Sequence, residues 1–288
     1  MTKPLILVTG KDGQLGFELM QLSEQFNNQF NFLFVGRNEL DLSNSDAIAS
    51  FIKQHQPQYI VNCAAYTAVD KAETEQELAY AINATAPAVM AKVCAEMGCK
   101  LIHISTDYVF DGEKQQSYLP TDAIHPLNVY GSSKAAGEKL VAENSNDAVI
   151  IRTSWVYSSH GKNFVKAMLK LMSDRPEINV VADQIGCPTY AADLAEAIMK
   201  IICSNVVSTS TKIYHYSNTG NISWFQFAQA IQEIGEKDCK VNPIPSTAYP
   251  TPAKRSNYSV MDTSDIEKDF GVEIKDWKKS LEKCIHLL

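Results

Sequence analysis

The chain has 288 residues, of which 45% are hydrophobic and 20% charged, as in an ordinary globular protein with one large or two moderate cores. Its formal net charge of -7 argues against nucleic-acid binding, and no apolar run reaches the roughly 20 residues needed to cross a membrane. Its seven cysteines lack C-x-x-C spacing and do not cluster with the six histidines, so we expect reduced thiols, no zinc site and a cytoplasmic protein.

Five short apolar segments, rich in branched residues, predict strands that are buried on both faces. They span residues 5–9, 32–36, 59–64, 100–106 and 148–154. Helical patterns lie between them, at residues 15–25, 46–54, 86–97 and 132–143. This alternation predicts right-handed β–α–β units, and therefore an α/β fold with a doubly wound parallel sheet of the Rossmann type.

After about residue 155 the alternation becomes less regular. Helices are predicted at residues 163–172, 190–203, 223–234 and 275–286, and Ser223/Gln226 and Ser264/Glu267 have capping-box spacing. Residues 242–255 are proline-rich and are predicted to form a structured loop rather than a helix or a central strand. We expect an NAD(P)-binding Rossmann domain over residues 1–155, rejoined by part of 180–205. A smaller α/β substrate-binding domain is expected over residues 156–288.

Three glycines, Gly10, Gly13 and Gly16, follow the first predicted strand and open the first predicted helix. Such a turn tolerates positive φ, lets a pyrophosphate approach bare backbone and offers it the unpaired N–H groups of a helix start. A glycine-rich turn without a ligand is the alternative. The placement favours a dinucleotide site that also includes Gln14 and Leu15.

Arg37 stands where an NAD-selective site usually carries an acid for the ribose hydroxyls. An arginine there suits a 2′-phosphate, so we expect NADPH to be preferred, with NADH also accepted; a solvated loop charge is the alternative. Other predicted cofactor-binding residues follow the second and third strands, and they are Asp41, Leu42, Ala64, Ala65 and Tyr66.

Thr106 and Asp107 end the fourth strand, at the edge where open α/β sheets bind ligands. Tyr130 and Lys134 are four residues apart and therefore neighbours on one helix. An ammonium beside a phenol favours the phenolate, so we expect Lys134 to lower the pKa of Tyr130 and make it an efficient proton-transfer group. The alternatives are a strand end capped by its own hydroxyls and an exposed aromatic beside a solvated lysine.

Seven motifs in order resemble those of the extended short-chain dehydrogenase/reductase superfamily and, within it, the dTDP-4-dehydrorhamnose reductases. They are TGKDGQLG, NCAAYTAVDKAE, STDYVFDG, NVYGSSKAAGE, RTSWVY, DQIGCPT and TPAKR, and they run essentially from end to end. The resemblance implies a cytoplasmic oxidoreductase of nucleotide-sugar and polysaccharide biosynthesis. It would reduce the C4 ketone of dTDP-4-dehydrorhamnose to dTDP-L-rhamnose with NADPH or NADH.

The same resemblance implies roles for individual residues. Tyr130 would donate a proton to the C4 carbonyl oxygen, Thr106 would bond that oxygen, and Lys134 would hold the nicotinamide ribose. Other residues would bind the substrate: Asp107 the sugar, Trp155 its apolar face, and Gln184 and Arg255 the nucleotide diphosphate. On the residues alone, Trp155 could equally be a core tryptophan and Arg255 a surface charge.

The chain also departs from the family pattern. Some members hold magnesium through glutamates at a dimer contact; Glu18 matches one such position, but Ala192 and Leu287 replace the other carboxylates. We therefore expect no metal, and a monomer or a weak homodimer. Two other functions remain open: a nucleotide-sugar epimerase or dehydratase of the same fold, and a non-catalytic NADP-binding regulatory subunit.

Overall fold

The computed structural model describes residues 3–204 and 210–288. Six parallel strands form the main sheet, in the order β10-β5-β4-β3-β1-β2, and the other strands form three two-stranded sheets. The strands are β1 (Leu5–Thr9), β2 (Asn31–Val35), β3 (Tyr59–Asn62), β4 (Lys100–Thr106), β5 (Val149–Thr153), β6 (Val156–Tyr157), β7 (Glu177–Val181), β8 (Ile185–Gly186), β9 (Thr189–Tyr190), β10 (Lys212–His215), β11 (Ile222–Ser223) and β12 (Lys240–Ile244).

Helices cover both faces of the main sheet, so the predicted doubly wound α/β fold is confirmed. The helices are α1 (Gln14–Ser23), α2 (Ser45–His55), α3 (Val69–Ala72), α4 (Gln76–Tyr80), α5 (Ala86–Met97), α6 (Val129–Asn144), α7 (Phe164–Asp174), α8 (Ala191–Cys203), α9 (Trp224–Ile234), α10 (Ser264–Phe270) and α11 (Trp277–Ile285). A π-helical turn, Ala81–Thr85, joins α4 to α5.

The central strands are apolar on both faces because successive side chains enter different layers of the core. In β1, Ile6 and Val8 pack into the layer of α1 and α8, whereas Leu7 packs into the layer of α2 and α5. All three are almost completely buried. Because side chains on both faces of these strands are buried, the five predicted strands have continuous apolar sequences.

The C-terminal half contributes α8 and β10 to this first layered unit. Helix α8 packs against α1, and β10 adds a sixth strand beside β5. We predicted that part of residues 180–205 would rejoin the first domain. Helix α8 lies within that range, whereas β10 lies after it; residue 205 itself is outside the described part of the chain. The division into domains at residue 155 stays a prediction.

The proline-rich stretch 242–255 is not wholly a loop, and to that extent the prediction is wrong. Its first residues continue β12, which pairs in parallel with β7 and includes Pro243. Proline is tolerated there because β12 has only one neighbouring strand and its missing N–H can face away from that partner.

By length and composition, one helical run, Gln76–Met97, could cross a membrane, although over half of its apolar window is buried inside the protein. It includes α4, the π-helical turn and α5, and it packs along α6. Its apolar residues are therefore explained by the core of the fold.

The two predicted capping boxes have different outcomes. Ser223 caps α9: its side chain accepts from the Gln226 N–H, and the Gln226 side chain accepts from the Ser223 N–H. The second prediction is wrong, since α10 starts at Ser264 itself and its hydroxyl donates to Asp262 Oδ1 at 2.5 Å. The Asp262 carboxylate satisfies the Ser264 N–H, so the helix start does not need the Ser264 hydroxyl.

We predict that Ser223→Ala lowers the free energy of unfolding by about 1 kcal/mol, because the Gln226 N–H at the start of α9 loses its acceptor. Ser264→Ala is the matched control and should change it by less than about 0.5 kcal/mol. Urea denaturation of both variants measures the difference. Equal effects would contradict the assignment of the two helix starts.

Candidate active site

One cavity of about 680 Å³ opens at the carboxyl ends of the main-sheet strands. The strand order reverses between β1 and β3, which is where open α/β sheets bind their ligands. Fourteen of the residues predicted from the sequence line this cavity. They are Gly10, Gly13, Gln14, Leu15, Arg37, Asp41, Leu42, Ala64, Ala65, Thr106, Asp107, Tyr130, Lys134 and Trp155.

The glycine loop between β1 and α1 forms one wall of this cavity. Gly10 has φ +75°, and a Cβ on it would lie 2.8 Å from the Ala64 backbone nitrogen. A Cβ on Gly16 would lie 2.2 Å from the Gly10 carbonyl oxygen, so Gly16 allows the helix to approach the loop although it does not line the cavity. Gly13 is exposed and precedes α1 without a side-chain cap. The start of α1 therefore offers backbone N–H groups to an anion.

Arg37 is exposed at the end of the cavity nearest β2. Asp41 lies close enough for Arg37 to contribute to lowering its pKa, although hydrogen bonds from Ser43 contribute more. The geometry leaves the Arg37 guanidinium facing solvent, where it could meet a phosphate.

Helix α6 presents Tyr130 and Lys134 to the same cavity. The Asn128 side chain caps the helix by accepting from the Gly131 N–H at 2.8 Å. Tyr130 lies beside Thr106, whose own hydroxyl donates to Asp107 Oδ1 at 3.1 Å. The structure therefore brings the predicted phenol, hydroxyl and carboxylate together at the end of β4.

The predicted lowering of the Tyr130 pKa is wrong. Burial raises this pKa because it disfavours the phenolate, and the neighbouring Thr106 hydroxyl opposes the effect only in part. Asp107 raises the Tyr130 pKa further, and burial raises the pKa of Asp107 itself to about 6. Tyr130 is therefore a protonated phenol at neutral pH.

Lys134 is buried and its ammonium is turned toward β4. Its Nζ donates to the Ile104 carbonyl oxygen at 2.6 Å and lies 3.4 Å from His103 Nε2. Burial lowers the Lys134 pKa to about 8, with Glu138 opposing the shift. Lys134 is thus a weaker base than an exposed lysine, and it does not act on Tyr130 as the sequence suggested.

A buried polar chain continues from Lys134 beneath the cavity. His103 Nδ1 lies 3.0 Å from Asn62 Nδ2, and Thr9 donates to Asn62 Oδ1 at 2.7 Å. Burial lowers the pKa of His103, and the nearby Lys134 lowers it further, so the ring is neutral. We did not predict this chain, although a histidine and an asparagine inside apolar strands were a visible signal.

A buried ion pair between Arg152 and Glu138 joins α6 to the main sheet. Arg152 of β5 donates to both carboxylate oxygens of Glu138, at 2.9 and 2.7 Å, and Ser105 of β4 donates to Glu138 Oε1 at 2.5 Å. The Arg152 and Glu138 side chains are 2% and 3% exposed, so solvent screens the pair little. We missed this pair too; an arginine within the apolar segment of β5 was its only signal.

Three other predicted residues lie outside the lining of the cavity. Tyr66 directs its hydroxyl to Glu75 Oε2 at 2.7 Å, and Gln184 is partly buried in the loop before β8. Arg255 forms a two-point ion pair with Asp70, at 3.0 and 2.9 Å. Their assignment to cofactor or substrate stays a prediction.

Trp155 lines the cavity with a strained backbone, φ +47°, in a region that non-glycine residues seldom occupy. Trp224 stacks on its ring at 3.6 Å, and Gly186 packs so closely that a Cβ would lie 2.7 Å from the indole. Trp155 is therefore held rigidly, but one face of its ring is already covered.

Glu18 does not form part of a magnesium site with the two matching positions. Its carboxylate accepts from the Ser158 hydroxyl at 2.5 Å, while Ala192 and Leu287 carry no side-chain oxygen. A magnesium ion requires several oxygen ligands, so these residues do not fit one and no step of the reaction is assigned to it.

The chain is similar over its whole length to known proteins. The family model described as RmlD substrate binding domain matches residues 3–288. The dTDP-4-dehydrorhamnose reductases of Aggregatibacter actinomycetemcomitans and Escherichia coli are 41% and 39% identical, over 96% and 98% of this chain and 97% of each relative. The crystal structure of the Bacillus anthracis dTDP-4-dehydrorhamnose reductase in complex with NADP is 38% identical, covers 100% of both chains and superposes with a TM-score of 0.94.

We predict that Glu138→Gln lowers the free energy of unfolding by about 3–5 kcal/mol, because it leaves the buried Arg152 charge uncompensated. The double variant Glu138→Leu/Arg152→Met removes both charges and should recover much of that loss. Urea denaturation measures the free energy of unfolding of the single and double variants. A double variant no more stable than Glu138→Gln would show that the Arg152 charge is not what destabilises the single variant.

Proposed function

The chain belongs to the RmlD substrate binding domain family, and on that premise we propose that it reduces the C4 ketone of dTDP-4-dehydrorhamnose to dTDP-L-rhamnose. The observation that carries the proposal is that Tyr130, Thr106 and Lys134 line one cavity together with the glycine loop. A nicotinamide dinucleotide, when bound, supplies the hydride. The glycine loop fits such a group, since Cβ atoms on Gly10 or Gly16 would collide with the backbone there.

Tyr130 donates its phenolic proton to the substrate oxygen as negative charge develops on it. The raised pKa suits this direction of the reaction, because the group must be protonated before it can act as an acid. Thr106 lies beside the phenol and offers its hydroxyl to the same oxygen, which requires that the hydroxyl turn from Asp107 Oδ1. Lys134 lines the same cavity with its Nζ bonded to the Ile104 carbonyl oxygen, and its pKa is lowered to about 8.

We place the cofactor along the glycine loop, with Lys134 near its nicotinamide ribose. Arg37 is exposed at the far end and is free to meet a 2′-phosphate, so NADPH is preferred and NADH is also accepted. The crystal structure of the Bacillus anthracis relative, described as a complex with NADP, supports this choice.

We place the dTDP-linked sugar beside Asp107 and Trp155, which line the cavity next to Tyr130. Gln184 and Arg255 would bind the diphosphate from the C-terminal part of the chain. Because Asp70 holds both terminal nitrogens of Arg255, that arginine reaches a phosphate only by exchanging this partner. The protein would act in the cytoplasm on polysaccharide precursors, as a monomer or a weak homodimer.

An epimerase or dehydratase of the same fold is the second candidate. Such an enzyme returns the hydride to the sugar, so it consumes no NADPH overall. A dehydratase also usually carries an acidic pair beside the hydroxyl at the end of the fourth strand. Here Asp107 is followed by Tyr108, whose pKa burial raises to about 12. Tyr108 is therefore no substitute for a second carboxylate.

We predict that Tyr130→Phe lowers kcat by about 10²- to 10⁴-fold, because the ketone oxygen loses its proton donor. Affinity for NADPH should stay within about threefold, since the ring is retained. Tyr59→Phe is the matched control, because Tyr59 begins β3 and so lies at the amino ends of the strands, away from the cavity at their carboxyl ends. Oxidation of NADPH at 340 nm with dTDP-4-dehydrorhamnose measures turnover. Unchanged kcat in Tyr130→Phe would remove the proposed proton donor.

We also predict that Arg37→Ala raises the Kd for NADPH by about tenfold or more and leaves that for NADH within about twofold, because only NADPH carries the 2′-phosphate. Arg175→Ala is the control, since Arg175 is an exposed arginine at the end of α7. Calorimetric titration of each variant with each coenzyme gives the four dissociation constants. Equal losses for both coenzymes would show that Arg37 does not read the 2′-phosphate.

A further inference from the structure

The segment 158–163, which we call the SSHGKN loop, lies directly over the glycine loop. Asn163 donates to Gln14 Oε1 at 2.8 Å, and Gln14 in turn donates to the Val156 carbonyl at 3.2 Å. His160 stacks on Phe17 at 4.2 Å, with its Nε2 3.1 Å from the Asp12 carbonyl oxygen. The two loops are therefore held together as one structure, although they are about 150 residues apart in the chain.

Two residues of the SSHGKN loop line the same cavity as the glycine loop. Gly161 has φ +75°, a backbone conformation that favours glycine. Lys162 follows it and is exposed at the cavity wall. The SSHGKN loop thus brings a lysine to the cavity that the glycine loop lines.

The charges of the glycine loop itself do not favour a diphosphate. Asp12 is exposed and lines the cavity with a negative charge. Lys11 is held by Glu39, with 2.6 Å between Nζ and Oε1. Lys162, by contrast, forms no ion pair with any residue in 3–204 or 210–288. It is the cation left available at this wall.

We propose that the SSHGKN loop is the second wall of the dinucleotide site and that Lys162 binds the diphosphate of the coenzyme. This inference rests on the proposed use of a nicotinamide dinucleotide. The lysine offsets the Asp12 charge and donates a charge-assisted hydrogen bond to the diphosphate, beside those from the N–H groups at the start of α1. It contacts the diphosphate, which NADPH and NADH share, and not the 2′-phosphate, which distinguishes them.

The experiment measures the Kd of NADPH, NADH and 2′-AMP by calorimetric titration of the full chain. For Lys162→Ala we expect both coenzymes to bind about tenfold more weakly and 2′-AMP, which lacks a diphosphate, to bind as before. Lys162→Arg should restore both coenzymes to within about threefold, because an arginine also binds phosphate. Lys170→Ala, which removes an exposed lysine of α7, should change none of these constants.

Arg37→Ala should give the opposite pattern: NADPH and 2′-AMP bind more weakly, whereas the Kd of NADH does not change. If Lys162→Ala weakened NADPH alone, Lys162 would meet the 2′-phosphate and the proposal would be overturned. If Lys162→Ala, like Lys170→Ala, left all three dissociation constants unchanged, Lys162 would not contact the coenzyme and the proposal would also fail. Since binding is measured without a sugar substrate, these outcomes stay distinct from a failure of the ketone reduction.

Discussion

The buried ion pair between Glu138 and Arg152 is the interaction on which the rest of the site depends. It joins α6 to β5, and through Ser105 it joins the same carboxylate to β4. Tyr130 and Lys134 lie on α6, whereas Thr106 ends β4. This charged contact therefore helps to set the relative position of phenol and hydroxyl, together with the bond from Lys134 to the Ile104 carbonyl oxygen. Such pairs add little net stability but penalise strongly any arrangement that separates them.

Burial, more than proximity of charges, sets the proton chemistry of the cavity. It raises the pKa of Tyr130 and lowers that of Lys134 to about 8, so each group is displaced toward its neutral form. A phenol that keeps its proton at neutral pH suits the reduction of a ketone, which consumes a proton. The same environment leaves His103 neutral, within a polar chain that leads from Lys134 to the end of β1.

The two ends of the cavity are electrostatically different. Near β2 the exposed Arg37 offers a positive charge, whereas near α6 the ionisable groups, among them Lys134 and Asp107, are buried. Between them lies the glycine loop, where Asp12 and Lys162 both line the cavity. The exposed cations Arg37 and Lys162 are therefore separated from the buried groups at the end of β4.

The sequence by itself determined the α/β class, the five main strands and the glycine loop, because these depend on local periodicity and on backbone freedom at single positions. It also identified Thr106, Tyr130 and Lys134 as a group, since strand ends and helix spacing bring them to one edge of a sheet. Tertiary structure alone decided the direction of the Tyr130 pKa, the partner of Arg255 and the approach of Lys162 to the glycine loop. These depend on desolvation and on contacts between residues far apart in the chain, which no local pattern encodes.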